Sequence, residues 1–481
     1  MRLSEALREL WRSGAGKGGV LLLVALFAGA AYVLTTYPLD YGDRLWSNPN
    51  VWVDNPKAAA PVWTNRWREE PLPEHLRLMT GEPTEVREAR AGRVETYRLP
   101  FAYPYTTPPT FLAVTLEDIT YVERPPLIAV SLVRPDGNEV RLLRHAARGP
   151  REDEKGPYRR YADDPLRIQL STDDSTVTSV QEFLAETFNQ QIDERDLRGL
   201  VNQAVFGTPT DGEQDDQEPH FTPLTGDYEL VIQAAFRDAN DHMATAHFVV
   251  GGAVYGWMGT DTLGRDLAQG LLFGLPVALF IGLVVALVET AIGATLGITS
   301  GYLGGRMDLL IQRAADIVAN IPVLPLLIFM LFVIGPSLYV ILFVLIAFSW
   351  PGLTIQIRSM VLHMRTNALV EAIQSLGASH GRVMFRHILP QIAPYVVSRL
   401  IFAAPSAILA EAGLSFLGLG DPSIPTWGQI LEAGFRTGGV YVGYWWWIIP
   451  PGLLIVLTAL TFMLLSLGLE PVVNPRLRRG H

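Results

Sequence analysis

Long apolar stretches, separated by one polar block, constrain this chain more than any other feature of its sequence. The first runs from Gly18 to Tyr37 and contains twenty residues without a charge. At a rise of about 1.5 Å per residue, such a helix spans the roughly 30 Å hydrocarbon core of a bilayer. A cleaved signal peptide would have a shorter apolar region followed by an Ala-x-Ala-like site, and Thr35–Pro38 fits that pattern poorly. We therefore expect an uncleaved membrane helix over residues 18–38, after a short segment 1–17.

Five more apolar stretches follow the polar block, so the sequence predicts six membrane helices. The stretch of the third membrane helix, Ile321–Ile334, is too short to span a bilayer, so this helix should begin near Leu309. The run Gly335-Pro336-Ser337 predicts a tight turn before the fourth helix. The five stretches are Leu271–Ile298, Ile321–Ile334, Leu338–Ile357, Ile388–Ala412 and Trp445–Leu469.

Arginine and lysine side chains near the helix ends predict the orientation. In a six-helix chain, the two termini and the loops after the second and fourth helices share one side of the membrane. These segments hold most of the basic residues near helix ends, whereas the short opposite loops hold little beyond Arg265 and Arg436. By the positive-inside rule, the shared side is cytoplasmic. Residues 1–17 and the tail 471–481 are then cytoplasmic, and residues 39–250 face outside.

Charge is distributed unevenly along the chain. Asp40–Val250 contain 36 acidic and 22 basic residues, against 12 and 16 in the rest, which gives the net charge of −10. The block is therefore acidic and exposed to water, whereas the apolar remainder is weakly basic. The sequence contains no basic stripe of the kind that binds nucleic acid, so we expect no nucleic-acid partner.

Residues 39–250 have the pattern of a β-sandwich-like domain with a helical insertion. Arg134–Asn138 joins two β-rich runs through a Pro-Asp-Gly turn, which predicts a hairpin. The runs Tyr228–Phe236 and Ala244–Val250 predict a second strand pair. Apolar residues at helical spacing over Val177–Phe206 predict the insertion.

Two features of this block leave alternatives open. The acidic run Asp211–Glu218 is expected to be a solvated loop; calcium binding by its oxygen ligands is the alternative, but the run lacks the full spacing of a calcium-binding loop. The tryptophans after the first helix predict either aromatic packing at the membrane surface or a surface on which a ligand stacks. They are Trp46, Trp52, Trp63 and Trp67.

The residues give no sign of an enzyme. The chain has no cysteine, which excludes disulfides, iron–sulfur clusters and cysteine-ligated zinc. Gly14–Gly18 resembles a phosphate-binding loop only superficially, because no serine or threonine follows Lys17. Neither a His-Glu-x-x-His nor a Gly-x-Ser-x-Gly pattern occurs in the sequence. We predict no catalytic residue, no metal site and no cofactor bound by this chain.

The predicted cytoplasmic loop 366–390 carries the most informative pattern. It consists of a short helix, a glycine turn and a second helix that enters the membrane. Val370, Ile373 and Leu376 would form one apolar face, and Gly377 can adopt the positive φ of a helix stop. The loop is too short for a catalytic domain and too apolar to remain free in solvent. Such a helix suits docking into a groove of a partner protein.

The same loop resembles the EAA loop of binding-protein-dependent ABC importer permeases. That pattern is Glu-Ala-Ala, three residues, Gly, nine residues, then Ile-x-Leu-Pro. Ile373 stands where the third alanine is usual, and His387 where the isoleucine is usual. The resemblance implies that the loop couples the permease to ATPase subunits. The residues implied in this coupling are Glu371, Ala372, Gly377, Ala378, Arg382, Leu389 and Pro390.

Four further segments resemble the C-type subunit of the dipeptide/oligopeptide/nickel branch of this family. They are Gly259–Asp266, Gly301–Gly305, Glu411–Gly420 and Pro425–Gly428, and they occur in the family's order. The resemblance is close over residues 251–481 and loose over residues 1–40, and the enlarged outer block departs from it. The residues that fit the family's Gly-Thr-Asp-x-x-Gly-Arg-Asp pattern are Gly259, Thr260, Asp261, Gly264, Arg265 and Asp266.

The predicted fold class is an all-α membrane protein of six helices with an inserted mainly-β extracytoplasmic domain. The resemblance implies a type I ABC importer fold with its core over residues 251–470, in the cytoplasmic (inner) membrane of a prokaryote. The implied partners are a homologous second permease subunit, two ABC ATPase subunits that bind ATP and magnesium, and an extracytoplasmic substrate-binding protein. The favoured substrate is a di- or oligopeptide, and nickel, an oligosaccharide or another small solute is the alternative.

Acidic residues within apolar stretches usually face a bundle interior or an aqueous cavity. Glu411, together with Ser415, either lines the translocation pathway or lies at the membrane surface, and we expect Glu289 to be structural.

Two other classes of protein are weaker interpretations. A secondary transporter would show an internal repeat or paired broken helices, and a membrane sensor would need a cytoplasmic output domain. In the favoured interpretation as an importer, the outer block serves as a docking collar for the binding protein or as a lid over the pathway.

Overall fold

The chain divides into two compact units. The membrane unit comprises the residues up to Val51 and from Leu267 onward, and the outer unit is Trp52–Asp266. The outer unit begins and ends later in the chain than the predicted block 39–250. The acidic run 211–218 lies outside the described residues, as do the ends of the two predicted cytoplasmic tails. The computed structural model describes residues 10–89, 92–151, 154–210 and 219–473.

Helices account for the membrane unit and for a smaller part of the outer unit. Five of the helices in the described residues are long and apolar enough to cross a membrane, and they are α1, α6, α9, α11 and α14 of the following list. The helices are α1 Gly14–Thr36, α2 Pro49–Trp52, α3 Asp174–Phe188, α4 Glu194–Leu197, α5 Val201–Val205, α6 Leu267–Leu303, α7 Gly305–Asn320, α8 Val323–Ile334, α9 Leu338–Arg365, α10 Ala368–Ser375, α11 His380–Leu419, α12 Trp427–Arg436, α13 Gly439–Val442 and α14 Trp445–Val473.

The third predicted membrane helix is broken. Helices α7 and α8 meet at an angle of 76°, and the pair is apolar enough to count as one span only when taken together. Ile321 has an extended backbone with ψ 124°, because the ring of Pro322 disfavours the helical conformation of the residue before it. The six-helix prediction is therefore confirmed with one bent span, and the expected start near Leu309 falls inside α7.

Prolines do not interrupt the fifth span. Helix α11 continues through Pro394 and Pro405 and is longer than the apolar stretch 388–412 that predicts it. Two short π-helical turns, Val383–Ile388 and Ser415–Leu419, lie within it. Prolines are tolerated in membrane helices because neighbouring helices and local π adjustments satisfy the backbone groups they free.

Strands dominate the outer unit, as the sequence predicts. One five-stranded sheet has the order β1-β12-β4-β7, with β8 also paired to β4, and the other has the order β2-β3-β11-β5-β6. One buried apolar cluster contains residues of both sheets, including the fully buried Leu112 and Ile128. The strands are β1 Leu76–Met79, β2 Glu85–Ala89, β3 Gly92–Tyr103, β4 Leu112–Tyr121, β5 Leu127–Val133, β6 Glu139–Ala146, β7 Tyr158–Arg160, β8 Leu166–Gln169, β9 Gly207–Thr210, β10 His220–Pro223, β11 Gly226–Phe236 and β12 His242–Val250.

One of the two predicted strand pairs is correct. Strands β5 and β6 form the expected hairpin around Arg134–Asn138. The predicted pairing of β11 with β12 is wrong, because the chain passes from one sheet to the other between them. The fully buried side chain of Asp241 stabilises this crossing by accepting hydrogen bonds from the backbone N–H groups of Val122 at 2.8 Å and Arg237 at 3.0 Å.

The predicted helical insertion is present and consists of three helices, α3 to α5. Asn189, with φ +55°, ends α3 in the left-handed conformation. A fully buried arginine, Arg134, donates to the carbonyl oxygen of Ala204 at 3.1 Å and packs against the ring of Phe183. This side chain therefore fixes the β5–β6 turn to the helical insertion.

The stability of the outer unit should depend on the protonation of His75. Burial lowers the pKa of His75 to about 4; a smaller effect of Asp54 raises this pKa, and Arg77 lowers it further. Between pH 6.5 and about 4, the unfolded chain then binds a proton that the folded chain does not. Stability is fully present above pH 6.5 and is lost as the pH falls, by up to about 3 kcal/mol.

Thermal unfolding of the purified chain, compared with its His75→Gln variant, measures this effect. We expect the stability of the wild type relative to the variant to decrease steadily between pH 6.5 and 4.5. The matched control is His242→Gln, which removes an exposed histidine of the same unit. A His75→Gln variant with the same pH profile as the wild type would contradict the prediction.

Candidate functional site

The loop with the coupling pattern folds as a capped helix followed by a glycine turn. Helix α10 ends at Ser375, and Gly377 has φ +78°. The N–H of Gly377 donates to the carbonyl oxygen of Gln374 at 2.9 Å, and the N–H of Ala378 donates to that of Ile373 at 3.3 Å. This pair of bonds is the Schellman arrangement that glycine favours at a helix end. The predicted helix stop at Gly377 is confirmed.

One face of α10 is packed into the membrane unit. Val370 is 1% exposed and belongs to a buried cluster with Ile298 of α6, Ile357 of α9 and Val383 of α11. Ile373 packs against the same cluster, as predicted. The loop is therefore attached to the ends of three membrane-spanning helices by apolar contacts.

The predicted apolar face is wrong at Leu376. This side chain is 87% exposed, because Leu376 is the residue that caps α10 and lies beyond its last helical turn. The Leu376 side chain therefore takes no part in the buried cluster that holds Val370.

The other predicted coupling residues fall into two groups. Ala378 and Leu389 pack against the cluster that holds Val370. Exposed positions are occupied by Ala372, Gly377, Arg382 and Pro390, and Glu371 lies within α10.

A tyrosine of α6 connects both sides of the glycine turn. Tyr302 is 3% exposed, and its hydroxyl accepts a hydrogen bond from the side-chain amide of Gln374 at 2.9 Å. The same hydroxyl lies 3.3 Å from Nδ1 of His380. Residues before and after Gly377 are thus bound to the end of α6, which limits independent motion of the turn.

An ion pair near this end of the membrane unit joins three helices. The guanidinium of Arg358 on α9 donates two hydrogen bonds of 2.6 Å to the carboxylate of Asp308 on α7. Asp308 also accepts from the hydroxyl of Ser300 on α6. Gln312 donates to that hydroxyl at 2.9 Å. Two-point pairing of this kind fixes both distance and orientation.

Neutralising Asp308 should destabilise the membrane unit. The Asp308→Asn variant leaves the half-buried Arg358 without its carboxylate, which we expect to cost about 1–3 kcal/mol. The matched control is Asp316→Asn, because the Arg313–Asp316 pair is 3.8 Å apart and well exposed. Thermal unfolding of the two variants in detergent tests this. Equal destabilisation by both substitutions would contradict it.

The Gly259–Asp266 segment forms a tight turn within the outer unit. Asp261 is fully buried, and its carboxylate accepts hydrogen bonds of 2.9 Å from the backbone N–H groups of Leu263 and Arg265. The Arg265 guanidinium pairs with the same carboxylate at 2.5 Å. Gly264 has φ +81°, which favours glycine.

The same turn is bonded to the segment that follows α2. The hydroxyl of Thr260 donates to the carbonyl oxygen of Pro56 at 2.6 Å and accepts from the N–H of Ala59 at 2.9 Å. The side-chain amide of Asn55 donates to the carbonyl oxygen of Gly264 at 2.9 Å. These bonds give the predicted family residues a structural role, since they join the start and the end of the outer unit.

The predicted pathway residues Glu411 and Ser415 lie close together near the end of α11. Glu411 is 3% exposed and accepts a hydrogen bond of 2.6 Å from the hydroxyl of Ser415. Helix α12 packs closely on this part of α11, because a methyl group at Gly428 would lie 2.7 Å from the Cα of Ala412. The pathway role of this pair stays a prediction.

A cavity of about 270 Å³ lies among α6, α9 and α11. Its polar lining residues are Glu289, Ser349, Arg399 and Ser406, and Glu411 is not part of it. Glu289 lies at this cavity, as acidic residues within apolar stretches usually do. Arg399 is absent from the predicted site, although a single arginine within the apolar stretch 388–412 was the available signal.

The predicted tryptophans have two different surroundings. Trp46 and Trp52 are buried, at 4% and 5% exposure. Trp63 packs edge-to-face on Trp67 and donates through its indole N–H to the carbonyl oxygen of Trp257 at 2.7 Å. The latter three residues form an exposed aromatic surface, for which both membrane packing and ligand stacking stay open.

Comparisons with known proteins place these features in a family. Residues 293–479 match the family described as "Binding-protein-dependent transport system inner membrane component". The dipeptide transport system permease protein DppC of Bacillus subtilis (strain 168) is 34% identical over 224 residues, which are 46% of this chain and 69% of that protein. The oligopeptide transport system permease protein OppC of the same strain is 33% identical over 224 residues, which are 46% of this chain and 72% of OppC.

Two further similarities are more distant. The glutathione transport system permease protein GsiD of Escherichia coli O6:K15:H31 (strain 536 / UPEC) is 31% identical over 256 residues, 52% of this chain and 84% of GsiD. A solved structure of the MetNI methionine ABC transporter, in an inward-facing conformation, matches with a TM-score of 0.34 and 19% identity. The match covers 44% of this chain and 95% of the MetNI chain.

The apolar helices and these similarities define a multi-pass inner-membrane component of a transport system. As a permease, such a component is not itself an enzyme. The chain belongs to the family of binding-protein-dependent transport system permeases. The resemblance that the sequence shows over residues 251–481 is thereby confirmed.

Proposed function

We propose that this chain is one permease subunit of an ATP-driven importer and forms half of a translocation pathway for peptides. The named relatives are dipeptide and oligopeptide transport permeases. The observation that carries the coupling part of the proposal is the loop around α10, which is rigidly attached on one side and exposed on the other. A homologous second permease would supply the other half of the pathway.

Helix α10 would transmit movement from two ATPase subunits to the membrane helices. Its outer side offers Ala372, Leu376 and Gly377 to a groove on one of the two ATPases. Its inner side packs through Val370 on α6, α9 and α11. ATP binding and hydrolysis, with magnesium, would take place in those partners. A shift of α10 would then bias the helix bundle between inward-open and outward-open states.

The orientation follows from the same proposal. The ATPases require the loop 366–390 to be cytoplasmic, which places both termini on the cytoplasmic side as well. The outer unit would then face the substrate-binding protein that delivers the peptide. It would act as a docking collar for that protein or as a lid over the pathway.

Leu376 gives the sharpest test of the coupling surface. Burying a leucine side chain in an interface is worth about 1.5–3 kcal/mol, so Leu376→Ser should weaken binding of the ATPase subunits roughly 10- to 100-fold. The fold of the Leu376→Ser permease should change little, because the leucine side chain is already exposed. Titration of purified ATPase subunits onto the permease in lipid nanodiscs measures the affinity.

The matched control is Leu263→Ser in the outer unit, where the leucine is 60% exposed. This variant should bind the ATPases like the wild type. Unchanged ATPase affinity of the Leu376→Ser variant would show that α10 does not dock there.

A further inference from the structure

Two opposite charges share the cavity among α6, α9 and α11. Glu289 lies within the apolar helix α6, and Arg399 lies within α11. The guanidinium is within electrostatic reach of the Glu289 carboxylate. No ion pair of 4.0 Å or less joins either side chain to another residue in the described part of the chain. The cavity therefore holds a carboxylate and a guanidinium with a gap between them.

Such an arrangement is costly in a membrane unless something fills the gap. Ionised side chains at membrane depth are rare, and they pair with each other or line an aqueous cavity. Ser349 of α9 adds a third polar group. Its hydroxyl is buried beside the Glu289 carboxylate, but no hydrogen bond of acceptable geometry joins it to another described residue. Three polar groups thus face one space, with Ser349 beside the carboxylate and Arg399 more than 4.0 Å from it.

The remaining lining leaves room for a small ligand. Helix α11 contributes the small side chains of Ala403, Ala407 and Ala410. The volume of about 270 Å³ lies just below the range of about 300–1,000 Å³ that drug-sized ligands occupy. A ligand with one positive and one negative end, held a few ångströms apart, matches this space and these charges.

We propose that this cavity binds a peptide by its two charged termini, with the α-ammonium group at Glu289 and the α-carboxylate at Arg399. The inference rests on the proposed import of peptides and specifies the recognition within the membrane. A guanidinium pairs with a carboxylate through two parallel hydrogen bonds, and a carboxylate accepts from an ammonium group. The cavity size favours a dipeptide, whose two termini both fit inside it.

Uptake of radiolabelled dialanine by the complete importer in proteoliposomes tests the proposal. Glu289→Gln and Arg399→Gln should each lower uptake at least 10-fold, compared at equal amounts of assembled importer. Glu432→Gln and Arg436→Gln are matched controls, since they neutralise an ion pair of 2.9 Å on α12, outside the cavity lining. Both controls should transport dialanine like the wild type.

A second measurement reports on the cavity directly. Because the chain has no cysteine, Ser406→Cys places a single thiol in the cavity lining. Dialanine should slow the labelling of this thiol by a small methanethiosulfonate reagent. The protection should disappear when Glu289→Gln or Arg399→Gln is added. A thiol at the exposed Arg436 position, in the Arg436→Cys variant, should show no protection.

The outcomes separate this inference from the proposed function. If the wild-type importer takes up dialanine and the two charge variants do so equally well, the inference is overturned and the peptide importer stands. Loss of uptake with undiminished protection of the Ser406→Cys thiol would also overturn it, because the charges would then act only on the helix packing. If the wild type takes up neither dialanine nor longer alanine peptides, the peptide function fails, and the inference fails with it.

Discussion

The contact of Val370 with the ends of three spanning helices is the interaction on which the membrane unit's proposed activity depends. A helix of eight residues is too short to be stable in isolation. Apolar packing on α6, α9 and α11 stabilises it, and the bonds from Gln374 and Ala378 on either side of Gly377 fix its end. In the proposed coupling, this packing would carry a force applied to the exposed side of the helix to the bundle.

The ion pair between Asp308 and Arg358 likewise attaches α7 to the helix bundle. The bend at Pro322 prevents α7 and α8 from forming one straight span, so α7 needs its own attachment to the bundle. The paired charges and Ser300 provide that attachment to α9 and α6. The outer unit follows a different principle: two sheets share one apolar core, and buried polar groups such as Asp241 and Arg134 fix its loops.

Local sequence signals predict much of this molecule. Apolar stretches locate the spans, and the glycine at position 377 predicts a helix end. Local signals do not determine which strands pair: β11 and β12 are adjacent in sequence, yet they belong to different sheets. The exposure of Leu376 and the shared cavity of Glu289 and Arg399 also depend on tertiary packing, which periodicity does not encode. The sequence therefore predicts where the helices lie better than which charges they bring together.

The location of the α10 loop is the most direct test of the account. In the cysteine-free chain, Ser379→Cys places one thiol on the exposed side of this loop, and Glu139→Cys places one on the outer unit. A membrane-impermeant maleimide applied to right-side-out vesicles should label the thiol of the outer unit alone. In inside-out vesicles it should label the loop thiol, and added ATPase subunits should protect that thiol. Labelling of the Ser379→Cys thiol in right-side-out vesicles would contradict the coupling role of α10.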